Sequence, residues 1–210
     1  MYRPRPPSLP SRGLYAITDG PRPDLHAALQ RALEGGAAIV QYRDKTGDGE
    51  RRRTEGADLL ALCRRFGVPL IINDDVDLAA AIGADGVHLG EHDGGIEAAR
   101  TRLGAAAIIG VSCYASLDRA RQLAAAGADY LAFGAFFPSP TKPLARRADA
   151  GLLRDAKSLG LPLVAIGGIT PDNAQPLIEA GADFVAAISG VFAAADPSAA
   201  ARRYANLFTR

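Results

Sequence analysis

An excess of charge of either sign is nearly absent from this chain. It carries 24 basic and 23 acidic residues in 210, a net +1. That balance excludes the basic footprint of a nucleic-acid binder and the polybasic patch of a membrane-surface protein, and it points to a small-molecule partner. Cysteine is almost missing too. Cys63 and Cys113 are the only two, in no CxxC or metal-ligand spacing, so a disulfide framework is excluded and free core thiols in a reducing compartment are expected. No apolar run approaches the roughly 20 residues that span a bilayer. The first twelve residues are rich in Pro and Arg but lack the apolar centre of a secretory signal. They read as a flexible tail, with one catalytic domain over 13–210 and the cytoplasm as its place. The glycine-rich stretches match neither Walker A nor GxGxxG, which excludes ordinary ATP and dinucleotide sites. No Ser-His-Asp or Cys-His spacing appears, and Cys113 beside Ser112 reads as packing.

With 48% apolar residues the chain has material for a real core. Two stretches organise it: Val68-Pro-Leu-Ile-Ile-Asn-Asp74 and Ala84-Asp-Gly-Val-His-Leu-Gly-Glu-His-Asp93. Each is a short apolar run ending in acid, the pattern of a strand covered on both faces. If the two strands are neighbours, Asp74 and Asp93 emerge together. They would then repel unless a proton or a cation lay between them, and a hard divalent cation suits oxygen ligands. The rival reading makes both aspartates helix N-caps.

The rest of the chain repeats one pattern. Strands are expected at Leu14–Ile17, Ala37–Val40, Pro69–Ile72, Asp85–Leu89, Ala107–Val111, Asp129–Phe133, Pro162–Ile166 and Asp183–Ile188, with a helical segment after each. Leu25, Ala28, Leu29 and Leu33, for example, share one helical face. Gly-Ala-Asp recurs from Gly83, Gly127 and Gly181, where glycine can end a helix in the left-handed conformation. Eight such units predict an α/β chain folded as a single-domain (β/α)8 TIM barrel rather than a doubly wound sheet.

In such barrels the working face is formed by loops leaving the carboxyl ends of the strands. The polar residues fall there: Arg43 and Lys45, Asn73 and Asp74, Asp93, Ser112, then Ser139, Thr141 and Lys142, then Gly167-Gly168, and Ser189-Gly190. Loop six, Phe136 to Pro143, joins two hydroxyls and an ammonium to prolines that restrict its backbone, against the plain reading of a solvated surface loop. Two glycines before a helix, faced by Ser189, let bare backbone approach a phosphate. Arg43, Lys45 and Lys142 supply about three positive charges; with Mg²⁺ on Asp74 and Asp93 the balance is about +3, matched to a diphosphate. His88, inside an apolar strand, reads as a satisfied core histidine, and His26 and His92 as exposed.

Leu14-Tyr-Ala-Ile-Thr-Asp19, Gln41-Tyr-Arg-Asp-Lys45, Ile72-Asn-Asp74, Gly86 to Asp93, Gly110-Val-Ser112, Ser139 to Lys142 and Ile166-Gly-Gly-Ile169, in this order, resemble the thiamine-phosphate synthase family. The resemblance implies an enzyme that joins a hydroxymethylpyrimidine diphosphate to a thiazole phosphate and releases diphosphate, with Mg²⁺ as cofactor. It implies that Gln41, Arg43, Lys45, Asn73, Ser112 and Lys142 bind the pyrimidine diphosphate, within the segments Gln41-Tyr42-Arg43-Asp44-Lys45 and Ser139-Pro140-Thr141-Lys142, and that Asp74 and Asp93 hold the metal. Ser139, Thr141, Gly168, Ile188 and Ser189 would hold the thiazole phosphate, with Val164 lining the pocket. Arg43, Lys45, Ser112 and Lys142 would carry the chemistry. The chain departs from the family pattern at Asp75 (often Arg), Glu91 (Gln), Ser139 (Thr) and Tyr42 (Leu). A thiazole tautomerase on the same barrel, a noncatalytic phosphate-ligand regulator and another sugar-phosphate isomerase are the competing readings.

Overall fold

The computed structural model describes residues 8–138 and 147–209. Its eight strands are β1 (Gly13–Ile17), β2 (Ala37–Tyr42), β3 (Leu70–Asn73), β4 (Gly86–Leu89), β5 (Ile108–Tyr114), β6 (Tyr130–Phe133), β7 (Leu163–Ile166) and β8 (Phe184–Ala187). Each pairs in parallel with the next, and β8 closes on β1. The helices between them are α1 (Leu25–Glu34), α2 (Gly49–Phe66), α3 (Val76–Ile82), α4 (Ile96–Leu103), α5 (Leu117–Ala125), α6 (Ala150–Ala156) and α7 (Gln175–Glu179). A short α8 (Ser189–Phe192) follows β8 and precedes α9 (Pro197–Ala205). The barrel expected from the alternation is therefore present; α8 was not expected, since four residues carry no readable period.

Strand periodicity splits the core in two. Leu14, Ala16, Val40 and Ile72 face outward into the layer beneath the helices. Tyr15, Ile17, Ile39, Ile71, Tyr130, Val164 and Phe184 face inward and fill the barrel. Successive side chains point to opposite faces of a strand, so both faces must be apolar when both are covered. Residues 8–12, the described part of the expected tail, lie against the barrel: Leu9 packs on the interior cluster and the Arg12 guanidinium sits 5.3 Å over the ring of Phe208.

The Gly-Ala-Asp repeat acquires a physical role. Gly83 ends α3 at φ 69°, and Gly127 and Gly181 also take positive φ, as helix exits require. Each following aspartate reaches back to the strand before it. Asp85 accepts from the Leu70 N–H at 2.8 Å, Asp129 from Ile109 at 2.7 Å and Asp183 from Leu163 at 2.9 Å. These bonds pin the amino ends of β3, β5 and β7 and so help set the register. Arg100 pairs with Asp129 and Lys157 with Asp183. Asp85 is 2% exposed, its Oδ1 has no hydrogen-bond partner among the described residues, and burial raises its pKa above the usual carboxylate range.

A carboxyl whose folded pKa is raised favours folding at low pH, and that contribution is lost as pH rises through the folded value. Asp85→Asn keeps an oxygen for Leu70 without a charge. It should flatten the pH dependence and leave stability at pH 8 equal to or above that of the parent. Asp85→Ala strands the N–H and should cost about 1–3 kcal/mol. Urea unfolding at pH 5 and pH 8 reads both; a variant Asn that loses stability more at pH 8 than at pH 5 would contradict this account.

Candidate active site

The carboxyl ends of the strands are assembled by a few backbone ties. The Thr18 hydroxyl accepts from the Arg43 N–H at 2.8 Å and donates to the Arg43 carbonyl at 3.2 Å, joining loops one and two. Phe136 and Phe137 donate to the Ile166 and Gly167 carbonyls at 3.2 and 3.0 Å, carrying the β6–β7 pairing into loops six and seven. The Arg119 guanidinium donates to the Ser112 carbonyl at 2.9 Å and lies 5.7 Å over Tyr114, fixing the end of β5. Tyr114 holds φ 54° there, an unusual backbone state of the kind that clusters at functional sites.

The two aspartates meet. Asp74 and Asp93 are in side-chain contact, and Lys45 pairs with Asp74. Burial pushes Asp74 upward, but Lys45, the side-chain contact with Asp93, and Asn73 outweigh it and hold Asp74 below the usual range. Burial and the Asp74 charge raise Asp93, against the Gly90 N–H that bonds Asp93 at 2.8 Å. The contact therefore splits the pair, with Asp74 lowered and Asp93 raised, the response of like charges brought together. Neither aspartate is a helix cap: Asp75 caps α3, bonding the Leu78 N–H at 2.8 Å, and Gly95 precedes α4. The rival reading is thus corrected. Asp74 takes φ 64°, a left-handed backbone state just past the end of β3.

Two carboxylates in contact, each disfavouring the other's charge, mark a place where a cation fits. Among the described residues no group of three or more His, Cys, Asp or Glu side chains converges to hold a metal. Two carboxylates with remaining positions for water and phosphate oxygens suit Mg²⁺, which dehydrates reluctantly and takes substrate phosphates as ligands.

Several expected site residues line the barrel mouth or lie just beneath it. Gln41 is buried and donates its Nε2–H to the Tyr15 hydroxyl at 2.8 Å. The Ser112 hydroxyl bonds His88 Nε2 at 2.9 Å. Val164 is enclosed in the barrel interior, and Ile188 packs beside it. Arg43 is half-buried, with no carboxylate partner among the described residues. Gly167 and Gly168 take φ 104° and 60°, and Ser189 opens α8, exposed. Ser139, Pro140, Thr141 and Lys142 lie outside the described residues.

Tyr42 and Asp44 turn their side chains away from the mouth. The Tyr42 ring belongs to the layer beneath α2, and its hydroxyl donates to Glu55 at 2.6 Å. Asp44, 6% exposed, accepts from the Thr46 N–H at 2.8 Å and from Arg51. Burial alone would raise Asp44, and these donors bring it below the usual range instead. Both side chains shape loop two from behind. Alternation along β2 explains it: Gln41 faces inward, so Tyr42 must face outward. Asp75 likewise turns from the mouth, capping α3 and pairing with Arg52 at 3.0 Å, and Glu91 is exposed.

Sequence reasoning missed Tyr15 and Tyr130. Their hydroxyls meet at 2.7 Å, and Tyr130 also bonds His88 Nδ1 at 2.9 Å. His88 is the satisfied core histidine expected, and it links Tyr130 to Ser112. The signal lay in the alternation: three polar-tipped rings at inward positions of otherwise apolar strands.

A closed parallel barrel that gathers basic side chains, a contacting carboxylate pair and a glycine cradle at its carboxyl end is a (β/α)8 enzyme suited to phosphorylated substrates. The chain matches the thiamine monophosphate synthase family over residues 14–191 and belongs to it. It is 56% identical to the thiamine-phosphate synthase of Thiobacillus denitrificans, covering 93% of this chain and 94% of that protein. With the thiamine-phosphate synthase of Methylococcus capsulatus it shares 54% over 99% of this chain and 92% of the relative. Among solved structures, the thiamine phosphate pyrophosphorylase of Pyrococcus furiosus superposes with a TM-score of 0.85 at 36% identity, covering 94% of this chain and 95% of that one. A 3-hexulose-6-phosphate synthase, at 20% identity and a TM-score of 0.65 over 93% of this chain and 99% of that one, shares the fold alone. No helix among the described residues is long and apolar enough to cross a membrane.

Proposed function

We propose that the protein is a thiamine-phosphate synthase: it condenses 4-amino-2-methyl-5-(diphosphooxymethyl)pyrimidine with thiazole phosphate, giving thiamine phosphate and diphosphate. Membership of the family supports the reaction, and the single structural observation that carries the reading is the Asp74–Asp93 pair beside Lys45 at the barrel mouth.

The carbon–oxygen bond to diphosphate breaks first, its electron pair leaving with the diphosphate. The electron-rich aminopyrimidine stabilises the methylene cation that remains. The thiazole nitrogen then donates its lone pair to that carbon, and no strong base is needed. Arg43, Lys45, Lys142 and Ser112 present donors and positive charge to the departing oxygens, the term that contributes most in such reactions. Asp74 and Asp93 would hold Mg²⁺, which supplies further charge neutralisation on the diphosphate. Gln41 and Asn73 orient the pyrimidine diphosphate. Ser139, Thr141, Gly168 and Ser189 hold the thiazole phosphate, with Val164 and Ile188 shaping the pocket, so that the nitrogen stands in line for attack. Tyr42 and Asp44 support the loop that carries Arg43 and Lys45.

Mixing the protein with both phosphorylated precursors, with Mg²⁺ and with a chelator, tests this. Thiamine phosphate and diphosphate should appear in equal amounts and only when the metal is present. Thiazole isomerisation without diphosphate release would replace the reading with a tautomerase, and binding without turnover would replace it with a regulator.

A further inference from the structure

Five side chains from five strands form one hydrogen-bonded line through the barrel. Gln41 on β2 joins Tyr15 on β1 at 2.8 Å, Tyr15 joins Tyr130 on β6 at 2.7 Å, Tyr130 joins His88 on β4 at 2.9 Å, and His88 joins Ser112 on β5 at 2.9 Å. Tyr15 and Tyr130 are 1% and 0% exposed. Their rings meet edge to face at 5.8 Å, and His88 stacks on Tyr130 at 5.7 Å. Both ends of the line are residues assigned above to the pyrimidine diphosphate.

Each phenol has a single proton, and neutral imidazole donates from one nitrogen while accepting at the other. With a neutral His88, these four bonds run in one of two directions. Forward, the Gln41 amide donates to Tyr15, Tyr15 to Tyr130, Tyr130 to His88 Nδ1, and His88 Nε2–H to the Ser112 oxygen. The serine proton is then turned outward. Backward, Ser112 spends its proton on His88 Nε2, every bond reverses, and Gln41 must offer its carbonyl to Tyr15. A serine that meets a diphosphate oxygen has to donate, because a lone pair facing an anion repels it. The Gln41 amide nitrogen directed at Tyr15 agrees with the forward direction. Burial raises both phenols above their ordinary range, so each keeps the proton that the line needs.

We propose that Tyr15, Tyr130 and His88 are positioning residues that hold this line in the forward direction, with His88 as the neutral Nε2–H tautomer, so that Ser112 is preset as a donor to the diphosphate. The inference rests on the reading of Ser112 given above and deepens it. Buried beneath the mouth, the two phenols act through the tautomer of His88. Pre-setting the donor removes a reorientation that would otherwise accompany binding and departure of the diphosphate.

Nitrogen-15 NMR of the wild-type protein reads the tautomer directly, without a variant. Nε2–H is expected; an Nδ1–H ring or an imidazolium overturns the proposal. Tyr130→Phe keeps the ring and removes the link. It should lower kcat/KM for the pyrimidine diphosphate about 10-fold, leave the KM for thiazole phosphate unchanged, and shift His88 toward a tautomer mixture. Tyr15→Phe should act in the same direction with a smaller loss. The double variant should lose no more than Tyr130→Phe alone, because the links are in series, whereas independent packing defects would multiply. Equal losses for both substrates, or multiplied losses in the double variant, overturn the proposal. Ser112→Ala separates the two levels: an unchanged KM for the pyrimidine diphosphate overturns the reading of Ser112 and this inference with it. A raised KM together with the wrong His88 tautomer overturns this inference alone.

Discussion

Asp74→Asn is expected to lower kcat about 10³-fold at saturating Mg²⁺, with little effect on folding. Asparagine adopts the left-handed region readily, so φ 64° at this position is kept without new strain. What disappears is one of two negative charges. Lys45 loses its partner, and Asp93 keeps the upward push of burial but loses that of a charged neighbour, so it ionises more readily than in the parent. One carboxylate and an amide hold a divalent cation far less well than two carboxylates, so the half-saturating Mg²⁺ concentration should rise together with the fall in kcat. A Mg²⁺ titration of the rate, beside a melting curve, checks both parts. Asp93→Asn should behave alike, since an amide oxygen still accepts the Gly90 N–H. Turnover within a few-fold of the parent, at unchanged Mg²⁺ requirement, would remove the pair from the mechanism.

Gly168→Ala is expected to raise the KM for thiazole phosphate at least about 10²-fold while changing the KM for the pyrimidine diphosphate little. A Cβ here would stand 2.9 Å from the Phe137 carbonyl carbon and closer still to the Pro138 oxygen. These are backbone atoms entering loop six, and they cannot yield as a flexible side chain can. The φ of 60° adds the left-handed penalty of about 1 kcal/mol. Loop seven is otherwise held firmly: the Asn173 amide donates to the Gly168 carbonyl at 3.1 Å, and the Tyr204 hydroxyl donates to Ile169 at 2.9 Å. The methyl must therefore displace loop six or occupy the cradle itself. Gly83→Ala is the control. Gly83 has nearly the same φ, 69°, with nothing within 4 Å of its added Cβ. It should lose only about 1 kcal/mol of stability, with both KM values unchanged. If Gly168→Ala resembles Gly83→Ala, bare backbone at loop seven is not needed for the phosphate.

Local pattern made most of the fold legible. The helix announced by Leu25, Ala28, Leu29 and Leu33 is present as α1, and β1 to β8 each lie within a few residues of the apolar run that announces them. Boundaries moved where the cause is tertiary. β5 runs to Tyr114 rather than stopping at Val111, because Ser112 and Tyr114 still pair with Ala132 and Phe133. β2 continues to Tyr42 because Gln41 and Tyr42 pair with Ile71 and Ile72. The site was legible in part, since acid, hydroxyl and glycine at strand ends signal chemistry by type and place. Direction was not: Gln41 and Tyr42 are adjacent, yet one enters the barrel and the other enters the helix layer.

By itself, the amino-acid sequence determined the eight-fold alternation, the double-sided burial of the strands and the gathering of polar groups at one end, because these follow from residue type and short-range period. Only the tertiary structure decided that Asp74 touches Asp93, that Asp75 caps α3, and that Tyr15 reaches Tyr130 across 115 residues of chain. Those contacts depend on closure of the barrel and on strand register, which bring together groups whose separation along the chain says nothing of their distance in space.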